Sequence, residues 1–263
     1  NDLYTASVLA LDPDTGKMKW YFQFTPHDIY DYDGVETPVL VDRVYKGQNR
    51  KLLIEANRNG FIYVLDRVTG KFLAATRFAE RVNWAKDIDA TGRPIYTDVK
   101  PTATGTLTCP GEVGATNWFS PSYSEATGLF YFIALDQCTI NYERPEAFTE
   151  GKEYYATGAR HAPDGRGRKT LLAFDPVTDQ FAWKYPQIGN GRSWGGVMTT
   201  ATGLVFFADD AGLFEAVNAR SGKPLWHFLT GQTIHASPMS YSVAGKQFVA
   251  IAWGDDLFAF ALP

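Results

Sequence analysis

The stretch DPDTGKMKW at residues 12–20 decides the fold, because variants of it recur along the chain. In each copy Asp or Asn is followed by Thr or Ser three residues later, then by Gly or Asp, and usually by a final Trp. Asp and Thr side chains bond nearby backbone N–H groups and Gly adopts positive φ, so each copy predicts a tight turn between two strands. The other copies are DRVTGKFLA at 66–74, which lacks the Trp, DPVTDQFAW at 175–183 and NARSGKPLW at 218–226.

The spacing of the copies indicates the architecture. They begin 54, 109 and 43 residues apart, and the long interval has room for one degenerate unit, with SEATGLFY at 124–131 as its expected remnant. Units of this length that hold several strands are typical of β-propeller blades. We therefore expect an all-β chain of about five four-stranded antiparallel blades, with the Trp filling the wedge between neighbouring sheets. A β-sandwich with repeated hairpins is the alternative.

Composition excludes several classes of protein. The 263 residues contain 25 Lys and Arg against 29 Asp and Glu, and this net charge of −4 gives no basic surface for nucleic acid. The longest apolar run, residues 129–135, is too short for a membrane-spanning helix. The chain opens without a leader pattern and ends on a predicted strand. We therefore expect residues 1–263 to form a single partial propeller domain, the C-terminal part of a larger protein.

One segment, residues 10–35, resembles the pyrroloquinoline quinone (PQQ) dependent alcohol dehydrogenases through its run TPHDIYDYDG at 25–34. Similar matches are NRNGFIYVLDR at 57–67, the run from Cys109-Pro110 to Thr116-Asn117-Trp118, and RSWGG at 192–196. The resemblance covers essentially the whole chain and corresponds to the C-terminal half of such an enzyme. It implies an eight-bladed propeller, joined by tryptophan-docking turns, that oxidises a primary alcohol to an aldehyde. The expected partners are PQQ, a metal ion and a cytochrome c electron acceptor.

Two carboxylates carry the expected chemistry. Asp31 matches the catalytic base of the family and is also expected to bind the metal. Asp33 lies two residues further, and in an extended segment both side chains would point to one side and repel each other unless a cation lay between them. The second Asp is similar to the mark of lanthanide-dependent members, so we expect a lanthanide ion, with Ca²⁺ as the alternative. Asp33 as a simple cap of the Asp-Gly turn also remains open.

Other positions match the cofactor site of the family. Arg58 matches the basic residue that faces the quinone oxygens, Asn117 an amide that hydrogen-bonds the quinone, and Trp194 an indole at the cofactor edge. A surface turn for Arg58 and blade packing for the other two are the alternatives. From composition alone Cys109 and Cys138 fit either one disulfide or two buried thiols, whereas the resemblance implies a disulfide and hence the periplasm.

The rest of the family site lies outside this chain. The resemblance implies that a Glu and an Asn metal ligand and a ring-stacking Trp come from N-terminal blades, or from a second chain that carries them. We therefore expect the isolated chain to be inactive. A PQQ-like propeller that serves as a non-catalytic scaffold, or an inactive fragment, is the alternative function. A scaffold has no need of a carboxylate, a guanidinium and an amide at the matched positions.

Overall fold

The computed structural model describes residues 1–163, 165, 167–189 and 193–262, and this part of the chain folds into β-strands without a helix. No helix within these ranges is therefore long and apolar enough to cross a membrane. The strands are β1 Ser7–Leu11, β2 Met18–Gln23, β3 Val39–Tyr45, β4 Gln48–Ala56, β5 Phe61–Asp66, β6 Phe72–Arg77, β7 Ala85–Ile88, β8 Pro94–Tyr96, β9 Thr106–Thr108, β10 Ser122–Ser124, β11 Leu129–Asp136, β12 Thr139–Glu143, β13 Thr157–His161, β14 Arg168–Asp175, β15 Gln180–Pro186, β16 Val197–Thr199, β17 Leu204–Ala208, β18 Leu213–Asn218, β19 Pro224–Leu229, β20 Met239–Val243, β21 Lys246–Trp253 and β22 Asp256–Phe260.

Antiparallel pairing organises these strands into small sheets. Three sheets have four strands each, in the orders β3-β4-β5-β6, β10-β11-β14-β15 and β16-β17-β18-β19. The strands β20-β21-β22 and β13-β12-β9 form three-stranded sheets, and β1-β2 and β7-β8 form two-stranded ones. The all-β prediction is confirmed. The three four-stranded sheets, β1-β2 and β20-β21-β22 give five blade-like units, and the first four of these along the chain each contain one copy of the repeat.

The chain divides into two compact units. The first contains Asn1–Asn117 and the described part of Leu135–Gly167, and the second contains Trp118–Ala134 and the described residues from Arg168 onwards. Each has aromatic residues in its core. The first unit buries Phe24, Tyr30, Tyr32, Phe61, Tyr63 and Trp84 together. The second unit buries one cluster that includes Phe119, Tyr131 and Phe207, and another that includes Phe214, Ile251 and Trp253.

The repeated turns have the chemistry that the sequence predicts. Asp66 Oδ1 accepts the backbone N–H groups of Val68 and Thr69, each at 3.1 Å, and Gly70 has φ of +72°. This turn joins β5 to β6, and the other three copies join β1 to β2, β14 to β15 and β18 to β19. Each copy therefore closes the last hairpin of its sheet.

The Trp residues of the repeat dock on these turns. Trp20 in β2 donates its indole N–H to the carbonyl of Arg67 at 3.1 Å, and its ring lies against Gly70. Trp183 in β15 donates to the carbonyl of Ala219 at 2.9 Å and lies against Gly222 in the same way. Within each unit, therefore, a Trp at the edge of one sheet fastens it to the last turn of another.

The expected remnant at residues 124–131 has a different place. Its turn joins β10 to β11, two strands of the sheet that also contains the turn at Asp175, so the prediction of a separate degenerate unit was wrong. The long interval is filled instead by β7, β8, β9, β12 and β13. A Thr-Gly turn has the same local chemistry at either end of a sheet, so the motif alone did not distinguish the first hairpin from the last.

We expect Gly70→Ala to destabilise the protein more than Gly16→Ala. Both glycines have φ near +70°, so each substitution costs roughly 1–2 kcal/mol in backbone strain. At Gly70 the new Cβ would also approach Trp20 Cδ2 and Cε3 to 2.7 Å, whereas at Gly16 it would meet nothing within 4 Å. The clash should add about 1–3 kcal/mol. Urea unfolding of both variants measures the difference, and equal losses would show that the indole does not depend on the glycine.

Candidate active site

Three predicted site residues converge in the first unit. Arg58 Nη2 lies 3.2 Å from Asp31 Oδ2, and Arg58 Nη1 lies 2.8 Å from Asp33 Oδ2. The Arg58 side chain is only 7% exposed, whereas those of Asp31 and Asp33 are 61% and 53% exposed. The two carboxylates therefore share one buried cation and present their outer sides to solvent. The burial of Arg58 does not fit the alternative of a surface turn arginine.

The loop that carries Asp31 is held by hydrogen bonds from its backbone to the Asp28 side chain. The half-buried Asp28 carboxylate accepts the backbone N–H of Tyr30 at 2.9 Å and that of Tyr32 at 2.6 Å, on either side of Asp31. Asp31 itself has φ of +70°. The segment is therefore not extended at Asp31, and the turn there rather than a β-pleat directs both carboxylates to Arg58. The cation that the pair requires is, in this structure, a guanidinium.

Two tyrosine hydroxyl groups anchor the same loop. Tyr30 donates to the carbonyl of Val99 at 2.7 Å, and Tyr32 donates to the carbonyl of Pro110 at 2.6 Å. Both rings pack on buried Trp84, at centroid distances of 5.6 and 5.4 Å. Asp31 therefore lies between two tyrosines whose rings are packed in the aromatic core of the first unit.

Arg58 is also held by contacts of its backbone and its side chain. It follows β4 in the turn to β5, and its backbone N–H donates to Glu36 Oε1 at 3.0 Å. Gly114, with φ of +80°, leaves room for its stem, because a Cβ there would come within 2.6 Å of Arg58 Cβ. Arg58 Nη2 also donates to the carbonyl of Glu112. Its Nε is buried and has no hydrogen-bond partner among the described residues.

A disulfide fixes the loop that supports Arg58. Cys109 and Cys138 are bonded, as the resemblance implied, and they lie directly beside the β9-β12 pairing at Thr108 and Thr139. Beyond the disulfide, Glu112 donates its backbone N–H to the Thr139 hydroxyl at 3.0 Å. The loop that contributes the Glu112 carbonyl and Gly114 is therefore attached at the start of β12 by the disulfide and by the hydrogen bond to the Thr139 hydroxyl.

The other two predicted cofactor residues lie in different units. Asn117 is buried in the first unit and donates from Nδ2 to the carbonyl of Val113 at 2.8 Å, in the loop that supports Arg58. Trp194 belongs to the second unit, where it stacks on Trp118 with centroids 5.6 Å apart and the planes at 21°. The neighbouring Arg192 of the RSWGG match lies outside the described residues.

Burial shifts the acidity of this region. It raises the pKa of Asp28 to about 6, although the N–H groups of Tyr30 and Tyr32 oppose the shift. Burial also raises the pKa of Asp31; the guanidinium of Arg58 opposes this and the charge of Asp33 adds to it. Asp31 is therefore a better proton acceptor than an exposed Asp would be.

The donor atoms suit a hard cation. Asp31 and Asp33 offer carboxylate oxygens, the ligands that Ca²⁺ and similar ions prefer, and both are already directed at one positive group. Among the described residues no three or more His, Cys, Asp or Glu side chains are grouped so as to hold a metal ion. The two carboxylates thus fit as part of a metal site that requires further ligands.

Sequence reasoning missed four residues of this region. Asp28 lies within the TPHDIYDYDG run, and its position three residues before Asp31 was a usable signal. Glu36, Glu55 and Asn57 had no such signal, because nothing in the sequence marks them as buried.

Comparison with known proteins identifies the family. The family model for the β-propeller domain of PQQ-dependent glucose, ethanol and alcohol dehydrogenases matches residues 1–78 and 170–249. The chain belongs to this family. The resemblance seen in the TPHDIYDYDG run is therefore confirmed, as is the β-propeller class.

Individual relatives agree with this assignment. The chain is 36% identical to the quinoprotein alcohol dehydrogenase PedH of Pseudomonas putida, over 97% of this chain and 44% of that protein. It is 35% identical to a 1-butanol dehydrogenase (cytochrome c) of Thauera butanivorans, over 97% of this chain and 38% of that protein. It is similar in structure to a europium-containing methanol dehydrogenase, with a TM-score of 0.86 at 32% identity, over 94% of this chain and 44% of the other. The chain thus spans less than half the length of these relatives.

We expect Asp28→Ala to loosen the Asp31 loop. The substitution leaves the N–H groups of Tyr30 and Tyr32 without an acceptor, which should lower the free energy of unfolding by about 1–3 kcal/mol. Asp28→Asn retains one acceptor oxygen and should lose less. Because burial raises the Asp28 pKa from 3.8 to about 6, ionisation in the folded protein costs stability as the pH rises through this range. Asp28→Asn should not show this decline.

Asp89→Ala is the matched control for this experiment. Asp89 Oδ1 also accepts two backbone N–H groups, those of Thr91 and Arg93, but its turn is exposed. Urea unfolding between pH 4 and 7 measures all three variants. An Asp28→Ala protein as stable as the unaltered one would show that the two bonds do not hold the loop.

Proposed function

We propose that the full-length protein oxidises a primary alcohol to the aldehyde with PQQ and a metal ion, and passes the electrons to a cytochrome c. The observation that carries this proposal is the buried guanidinium of Arg58 between Asp31 and Asp33, in a chain of the PQQ dehydrogenase family. The relatives named as alcohol dehydrogenases support the reaction, and the one named for cytochrome c supports the acceptor.

Asp31 is the proposed base. Its half-exposed carboxylate takes the hydroxyl proton of the alcohol, and its raised pKa suits that role because the proton is retained more readily. When bound, PQQ supplies the acceptor for the electron pair and the metal ion supplies Lewis acidity at the quinone. The bonds from Asp28 to the neighbouring N–H groups keep the Asp31 carboxylate directed at the same point throughout.

Arg58 is the proposed electrostatic partner of the quinone oxygens. Its guanidinium is nearly buried, and a buried cation stabilises negative charge more strongly than an exposed one. Asn117 is proposed to hydrogen-bond the quinone and Trp194 to lie at the edge of the cofactor. These two assignments rest on the sequence match to the family.

The proposed metal ion is a trivalent lanthanide bound by Asp31 and Asp33, with Ca²⁺ as the alternative. Two carboxylates from this chain and the Glu that the resemblance implies elsewhere would place about three negative charges around the ion, which a +3 cation neutralises and a +2 cation does not. The similarity to a europium-containing methanol dehydrogenase supports this choice.

The proposal extends to the rest of the protein. Residues 1–263 would form one partial propeller domain, completed by N-terminal blades or by a second chain that carries them, and the chain alone would be inactive. The periplasm is the proposed location, because the Cys109–Cys138 disulfide requires an oxidising compartment. The scaffold alternative gives no reason for a buried Arg to face two half-exposed carboxylates.

The metal assignment can be tested in the full-length protein. Asp31→Ala removes the base and should lower turnover by about 10²–10⁴-fold with any metal. Asp33→Ala should lower lanthanide-supported turnover by at least about tenfold and calcium-supported turnover much less, since even an outer partner of a metal contributes that much. Alcohol-dependent dye reduction with La³⁺ or Ca²⁺ measures both.

Asp14→Ala, in an exposed hairpin turn, is the control for a lost surface charge. Equal losses with both metals would return the site to Ca²⁺ and leave Asp33 as a turn residue. An Asp31→Ala protein with full turnover would refute the proposed function itself.

A further inference from the structure

Two buried carboxyl groups lie behind Arg58 and have no part in the proposed mechanism. Glu36 is 8% exposed and Glu55, near the end of β4, is 2% exposed. Neither forms an ion pair among those found in the described residues. Burying two carboxylates without a counter-charge is costly, so their charge state and partners require an explanation.

The side chain of Asn57 connects the two. Its Oδ1 accepts the backbone N–H of Asn59 at 3.1 Å, and this bond determines which way the amide faces. The Nδ2 group is therefore directed at the carboxyl groups, 3.0 Å from Glu55 Oε1 and 3.5 Å from Glu36 Oε2. One amide thus bridges two acids that have the same sign of charge when both are ionised.

The surrounding groups favour one charge in the pair and not two. Arg58 is the cation that faces Glu36, through its backbone N–H and its buried positive charge. Tyr63 lies opposite Glu55 in the β4-β5 pairing, but its hydroxyl accepts a hydrogen bond from Asn59 Nδ2 at 2.9 Å. Burial raises the pKa of both acids, Glu55 to about 8, and the two charges repel each other.

We propose that Glu36 and Glu55 share a single proton across the Asn57 amide, and that Glu36 is a positioning residue that holds the backbone N–H of Arg58. This inference rests on the proposed function only for the role of Arg58. Glu36 then fixes the backbone of Arg58, whose guanidinium contacts Asp31 and Asp33. With one proton retained, Glu36 and Glu55 together carry one negative charge in the core instead of two.

The shared proton makes a distinctive prediction for stability. The folded protein keeps the proton while the unfolded chain releases it above the ordinary Glu pKa of 4.5, so the free energy of unfolding should fall as the pH rises from about 5 to about 8. Either Glu36→Gln or Glu55→Gln removes the repulsion between the two acids and should make this decline smaller, whereas the burial of the remaining acid keeps part of it. Glu125→Gln, in the exposed β10-β11 turn, is the control and should keep the full decline.

Urea unfolding of the full-length protein from pH 5 to pH 9 measures this effect. If one of the two variants leaves the decline unchanged, the acids titrate independently and the shared proton is overturned. A free energy of unfolding that stays level over this range in the unaltered protein would also overturn the pair.

The contact with Arg58 has a separate test. Glu36→Gln keeps an oxygen for the Arg58 N–H, whereas Glu36→Leu leaves that N–H buried without an acceptor. We expect hydrogen exchange of the Arg58 amide to be about tenfold faster in Glu36→Leu than in Glu36→Gln, in line with one lost hydrogen bond. Turnover should fall in Glu36→Leu through kcat rather than KM, and Glu36→Gln should restore most of it.

The outcomes separate this inference from the proposed function. Equal exchange in both variants overturns the positioning role, whatever the activity. If Glu36→Leu does not fold, a fast Arg58 amide in Glu36→Gln overturns it instead, because that variant retains the acceptor. Slow exchange in Glu36→Gln and a smaller pH-dependent decline in both Gln variants, in a protein with no alcohol oxidation at all, would support the pair and refute the dehydrogenase function.

Discussion

The bond from a Trp indole to the carbonyl of a neighbouring turn is the constraint that fixes one contact between sheets in each unit. Trp20 and Trp183 each place a flat ring on a glycine and an N–H on a carbonyl, so both the distance and the rotation between two sheets are set at once. Small sheets expose much of their apolar surface when alone. A ring that fills the gap between two of them buries that surface and gives the interface a single register.

The local features of the fold could be predicted from sequence, whereas the assignment of each hairpin to its sheet could not. Asp66, Thr69 and Gly70 form a turn because their side chains bond the backbone within four residues, so no distant contact is needed. The turn after Ser124 uses the same chemistry but belongs to the first hairpin of its sheet. The position of this turn in the sheet depends on the pairing of β11 with β14. A motif of a few residues does not indicate such a long-range pairing.

The candidate site shows the same division. The family resemblance directed attention to Asp31, Asp33 and Arg58, and the structure brings these three together. Glu36 and Glu55 escaped notice because a Glu in sequence is ordinarily a solvated residue. The turn at residues 57–60 places the Arg58 N–H on Glu36 and the Asn57 amide between the two acids. The burial of these two acids results from tertiary packing, so it could not be predicted from composition.

The Cys109–Cys138 disulfide has a consequence for how the protein folds. The loop that touches the stem and the guanidinium of Arg58 is linked to the start of β12 through Cys109–Cys138, so its attachment depends on the oxidation of both thiols. A newly made chain in a reducing compartment would keep both thiols, and the loop would be free to open. Closure of the loop beside Arg58 therefore depends on the redox conditions in which the chain folds.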